Sequence, residues 1–149
     1  MSKIKKNKNS ETLILSTFIK LVRASESVTV RSHRHLAHEK LSFGQFAVIE
    51  ALFHLGPLCQ KDIAGKILRS PRNITMIVDN LEKRKLVRRE RDIGDRRFLN
   101  VHLTDKGKNL FRKIFPRHIK SLKKEMEILN ETGLETFGNL FLIFRTKTR

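Results

Sequence analysis

Apolar positions recur at helical spacing over most of this chain and alternate only between about residues 86 and 103. From Glu11 to about His38, Ile14, Phe18 and Leu21 follow four- and three-residue steps, and Val28 returns to the same face two turns later. That segment then turns polar through Arg31, His33, Arg34, His35 and His38. Leu41-Ser42-Phe43-Gly44-Gln45-Phe46 reads as a helix start: Ser42 can cap, Gln45 can answer it three residues on, and Leu41 can staple against Phe46. The helix is expected to run to about His54 and stop at Gly56-Pro57. A short helix follows from Gln60 to about Leu68. Ser70-Pro71 opens the next one, a cap residue followed by Pro at the first helical position. Its stripe of Ile74, Ile77, Val78 and Leu81 is expected to be buried, with Arg72, Asn73, Thr75, Met76 and Asp79 facing out.

Alternation over Leu86–Arg91 and Phe98–Leu103 predicts two strands, with Val87 matched in pattern to Leu99, Val101 and Leu103. Asp92-Ile93-Gly94-Asp95-Arg96-Arg97 between them makes a polar hairpin loop. Thr104 caps a long helix running toward Leu129, with Pro116 inside it as an expected kink. Thr132-x-x-Glu135 reads as a second capping box, opening a helix whose stripe is Leu134, Phe137, Leu140, Phe141 and Phe144. The expected fold is mainly α with a small β-hairpin wing. It comprises a winged helix-turn-helix lobe over residues 41–103, a terminal helical region over 11–40 and 104–149 that serves dimerisation, and a disordered basic arm over 1–10.

Charge adds a partner to this picture. Thirty-two Lys and Arg stand against 15 acidic residues, a formal charge of +17 in 149 residues. Such an excess opposes compaction unless a polyanion uses it, and nucleic acid ranks before an anionic membrane. The chain lacks Trp and Tyr. Its Phe residues sit at core-like spacing, which argues against stacking on single strands and leaves double-stranded DNA. Leu13–Val22 is apolar but short and interrupted by Lys20, so neither a membrane span nor a signal peptide is read, and a cytoplasmic location is expected.

The chemistry of reading DNA then falls on named residues. The N-terminal end of a helix in the major groove reaches base edges. Here that end carries Ser70, Pro71, Arg72, Asn73, Thr75 and Met76. Arg72 suits guanine, Asn73 adenine, and Met76 the thymine methyl. Gln60 and Lys61 start the preceding helix and can meet phosphate beside its exposed N–H groups. In the wing, Arg97 is the candidate for a narrow minor groove. Asp95 shares its face and can orient the guanidinium, although the two could equally form an ordinary exposed ion pair.

These motifs together resemble the MarR-type transcriptional regulators. The resemblance rests on Ile63-Ala64, Ser70-Pro71-x-x-Ile74-Thr75, Val78-x-x-Leu81-Glu82-Lys83-x-x-Leu86-Val87-x-Arg89, Asp95-Arg96-Arg97 and Leu103-Thr104-Asp105-Lys106-Gly107. It covers about Leu13 to Phe144. It implies a homodimer with interlocked first, fifth and sixth helices, two reading lobes, inverted-repeat promoter sites, repression, and release by a small ligand or by oxidation. The residues support a dimer independently. Leu110, Ile114, Phe115, Ile119, Leu122, Met126, Leu129, Phe137, Phe141 and Phe144 offer more apolar surface than one small lobe can cover. A small-molecule effector is expected in an apolar junction between terminal helices and lobe.

Other chemistries fit less well. The family's redox sensors place a cysteine near the start of the first helix, but Ser10 to Phe18 contains none. Cys59, the single cysteine, reads as a small apolar residue before a helix rather than a sensor. His33, His35, His38 and Glu39 cluster in sequence, yet a zinc site needs three or four ligands held in place, so neither metal nor cofactor is expected. No nucleophile–base spacing or phosphate-binding glycine loop appears, and enzyme activity is not expected. The competing readings are a non-specific architectural DNA-binding protein, motivated by the charge, and an interaction module that kept the fold.

Overall fold

The computed structural model describes residues 2–67, 70–94 and 99–146. Helix α1 spans Ser2–His33 and a 3₁₀ helix covers Arg34–Glu39. Then follow α2 (Phe43–Leu55), β1 (Leu58–Cys59), α3 (Gln60–Ile67), α4 (Pro71–Lys83), β2 (Val87–Arg91), β3 (Leu99–Leu103), α5 (Asp105–Met126) and α6 (Glu131–Thr146). Among the described residues no helix is long and apolar enough to cross a membrane.

The chain divides into two compact units, His35–Lys120 and the paired segments Met1–Arg34 with Ser121–Arg149. The expected boundaries at 40/41 and 103/104 therefore shift. Leu36 before α2, and Gly107, Phe111 and Ile114 on the first half of α5, are buried within the larger unit and belong to its core.

That larger unit is a winged helix-turn-helix lobe around one core. Phe46, Val48, Ile49 and Leu52 of α2 meet Ile63 of α3, Ile74, Val78 and Leu81 of α4, Val87 and Val101 of the sheet, and Phe111 and Ile114 of α5. Phe46 and Phe111 stack with ring centroids 6.0 Å apart. Helix α2 begins as its sequence dictates: Ser42 and Gln45 form a reciprocal capping box. It ends at Gly56, whose φ of 78° is a conformation that glycine adopts without a Cβ penalty.

The sheet holds three strands in the order β1-β3-β2, all antiparallel. The sequence had indicated only the hairpin. Strand β1 is two residues long, too short for alternation to register, and pairs Leu58 with Val101. In the hairpin Val87 faces Leu103 and Arg89 faces Val101. Thr104 joins hairpin to α5. Its hydroxyl oxygen accepts from Gly107 N–H at 3.1 Å and lies 2.8 Å from the carbonyl of Lys85. Gly107 must be small there, because a Cβ would stand 2.2 Å from the Leu86 carbonyl oxygen.

The other unit consists of long helical segments with apolar residues on their surfaces. Residues 2–10, expected as a disordered arm, continue α1 as helix. They contain no Gly or Pro to stop it, so the helix extends into the lysine-rich turns. Within this unit Arg31 pairs with Glu125 at 2.6 Å. Helix α6 begins two residues earlier than its capping-box pattern suggests. Asn130, not Thr132, accepts from the backbone N–H of Gly133, at 2.8 Å. Asn is as good a cap as Thr or better, and that start puts Glu131 in the first helical turn.

Candidate nucleic-acid interface

Helices α3 and α4 are joined through residues 68–70, and Ser70 holds the extended cap conformation at φ −66°, ψ 147°. Its side chain accepts from Asn73 N–H, which starts α4 with Pro71 in the first turn. Ile74, Val78 and Leu81 are fully buried and Ile77 half-buried, so α4 is pinned along one side. Arg72, Asn73, Thr75 and Met76 lie on the exposed side. Met76 is 60% exposed, although an apolar side chain gains by burial. Lys61 is exposed in the first turn of α3. Gln60, the first residue of α3, is half-buried and turned toward α4: its amide NH₂ donates to the Thr75 hydroxyl oxygen at 2.9 Å.

Asp95, Arg96 and Arg97 lie outside the described residues. Up to Gly94 the hairpin loop is organised by Asp92. One carboxylate oxygen accepts from Gly94 N–H at 2.8 Å, and the other from the Asn100 side-chain amide at 2.7 Å. This is an Asx-type turn, which the sequence implied only as a polar loop with a glycine. Ile93 stands fully exposed beside it.

A further residue joins this surface. Arg89, on β2, is one-fifth exposed. Its guanidinium donates to Asp79 at 2.5 Å, to Glu82 at 2.5 Å and to the Gln60 amide oxygen at 3.0 Å. Its backbone N–H also donates to Glu82 at 2.9 Å. Burial would lower the pKa of Arg89, but the hydrogen bonds it donates to Asp79 and Glu82 outweigh it and hold the guanidinium above its ordinary value. Asp79, expected to face solvent, is half-buried because it takes part in this pairing. The signal available in the sequence was the i, i+4, i+7 spacing of Thr75, Asp79 and Glu82, which places two acids on one flank of a helix in a very basic chain.

Cys59 is half-buried at the end of β1, and its thiol donates to Asp62 at 3.2 Å. Among the described residues no three His, Cys, Asp or Glu side chains are placed to hold a metal ion together.

The MarR family model matches residues 41–98, the span from just before the α2 cap to just short of β3. The HTH-type transcriptional regulator MhqR of Bacillus subtilis (strain 168) is 35% identical over 121 residues, which is 81% of this chain and 83% of that protein. Among solved structures, AbsC, a MarR family transcriptional regulator from Streptomyces coelicolor, matches with a TM-score of 0.82 at 20% identity, over 89% of this chain and 91% of that one. CouR from Rhodococcus jostii RHA1, bound to p-coumaroyl-CoA, matches with a TM-score of 0.79 at 22% identity, over 87% and 91%. The two structures share the fold; the relative and the family model carry the identity. The chain belongs to the MarR family and is a DNA-binding transcriptional regulator, not an enzyme.

Proposed function

We propose that this regulator acts as a homodimer, reads inverted-repeat promoter DNA sequence-specifically, represses transcription, and is released by a small ligand. The observation that carries the specific reading is α4. One side is locked into the core, and the other presents Arg72, Asn73, Thr75 and a largely exposed Met76 from a capped N-terminal end. In this reading those four residues contact base edges in the major groove. Lys61, Ser70 and Pro71 fix register on the phosphates, and the wing residues Asp95, Arg96 and Arg97 serve the minor groove. Gln60, read from the sequence as a phosphate contact, instead has its amide engaged by Thr75 and Arg89.

The dimer is supported by apolar exposure at both chain ends. Leu13, Ile14, Leu15 and Phe18 on α1 are 59–66% exposed, as are Ile143 and Phe144 on α6 at 63% and 64%. A second copy of the same helices would cover them, and twofold pairing would set two reading helices about 34 Å apart, one turn of DNA. Occupying a promoter across two half-sites supports repression. The effector is supported by CouR, whose structure holds p-coumaroyl-CoA, and small phenols or organic acids are the first compounds to try.

A gel-shift titration against the DNA upstream of its own gene tests the reading. Binding at physiological salt should exceed that to random duplex by about a thousandfold or more. Arg72→Ala should change base preference, whereas Arg97→Ala should weaken all binding and lower the salt slope by about one. Equal affinity for every duplex with a steep salt dependence would replace this reading with the architectural one, which the +17 charge supports.

A further inference from the structure

The acids on α4 are out of keeping with their place. Thr75, Asp79 and Glu82 share one flank of a helix proposed to approach phosphates, in a chain of charge +17. Both carboxylates are engaged by Arg89 of β2. A single guanidinium between two carboxylates leaves the trio net negative, which is a poor phosphate site. Three of its nitrogens are already committed, to Asp79, Glu82 and Gln60.

The link to Gln60 has a fixed polarity. Arginine Nε carries a proton and no lone pair, so it can face only the oxygen of the Gln60 amide. That sets the amide NH₂ toward Thr75, where it donates to Oγ1 at 2.9 Å. Threonine on a helix divides between two side-chain rotamers, and a donor held at one position selects one of them. The rotamer decides which side of α4 carries the Thr75 hydroxyl and which the methyl. Those two groups recognise different base edges.

We infer that Arg89 is a positioning residue for DNA reading: it orients Gln60, and through Gln60 the Thr75 side chain, while staying off the phosphates itself. This rests on the proposed reading of α4. The same guanidinium ties α3, α4 and the wing strand β2 together, so the elements that would contact DNA are pre-set against one another.

The test is an anisotropy titration of wild type, Arg89→Lys, Thr75→Val and the double variant. The duplexes are the upstream operator, the operator altered one base pair at a time, and a random sequence, each at several salt concentrations. Arg89→Lys keeps the charge but loses the fork. It should reduce discrimination at one base pair by roughly tenfold. Thr75→Val should do the same at the same base pair, and the double variant no more than either. Salt slopes should stay unchanged. Effects that multiply, a Lys that replaces Arg without loss, or a uniform weakening with the slope lowered by about one would each overturn the inference.

Gln60→Leu leaves the Arg89–carboxylate pairs intact, so it serves where Arg89→Lys does not fold. It should cause the same loss of discrimination, and unchanged discrimination would refute the link. A DNA-free readout separates this inference from the reading beneath it. In the free protein, Arg89→Lys should shift the NMR signals of the Gln60 side-chain amide and the Thr75 methyl. If those signals stay put, the link is wrong even where wild type discriminates among duplexes. If they shift but wild type treats all duplexes alike, the link stands and the sequence-specific reading fails.

Discussion

The lobe and the terminal helices are built from similar residues but treat them in opposite ways. In the lobe, apolar side chains from four helices and the sheet close on one another, and Phe46, Ile63, Ile74, Val78, Leu81 and Val101 are at most 1% exposed. In the terminal unit, Phe18, Phe137, Phe141 and Phe144 remain 39–64% exposed. The lobe carries its own core. The terminal unit has helical segments with exposed apolar faces, the feature on which the proposed dimer rests.

The difference can be broken from either side. Phe111→Ala, in the lobe core, should lower unfolding free energy by about 3–5 kcal/mol at any protein concentration, as read by urea denaturation. A much smaller loss would mean that the lobe core is not closed as described. Phe144→Glu removes nothing from that core, yet it should weaken self-association by the worth of a buried Phe, about 1.5–3 kcal/mol. Sedimentation should then show single chains at concentrations where wild type is paired. An unchanged mass would mean that the α6 face is not the interface.

Two smaller effects sharpen the contrast. Ser42→Ala removes the α2 cap and should cost the lobe about 1 kcal/mol without altering assembly. The smallest effect concerns two ion pairs, one chosen from each unit. Glu39 is held below the ordinary carboxylate range chiefly by its hydrogen bond from Lys113, 2.9 Å away. Glu125 is held down in the same way by Arg31. A depressed carboxylate contributes stability that is present above its unfolded pKa of about 4.3 and is lost as pH falls through the lower folded value. Lys113→Ala and Arg31→Ala should each lower the neutral-pH melting temperature slightly, converge with wild type in acid, and so make a thermal melt series less pH-dependent below about pH 4.3. An unaltered acid limb would show that these surface pairs carry no linkage.

How much was legible in advance varied with the range of the interactions. The Ser42–Gln45 box, the Gly56 stop, the Ser70-Pro71 start and the stripe of α4 are written within a few residues each, and the structure follows them. The α6 start was misplaced because Asn130 and Thr132 compete within one turn and both are capable caps. Strand β1 escaped notice because two residues cannot show a period; it exists only because β3 lies beside it. Arg89 was visible as part of a family pattern, but its partners lie 7, 10 and 29 residues away along the chain. No local pattern reports such a convergence.

Periodicity, caps and charge, all of them local or additive quantities, were enough to determine the helices, the hairpin, the polyanionic partner and the residues offered at the start of α4. Other features depend on backbone segments meeting across long sequence separations. These include the third strand, the reach of the lobe core into α5, the close approach that demands Gly107, and the Arg89–Gln60–Thr75 chain. Only the tertiary structure decides them, because a hydrogen bond or a steric limit between distant residues exists only once the fold has brought them together.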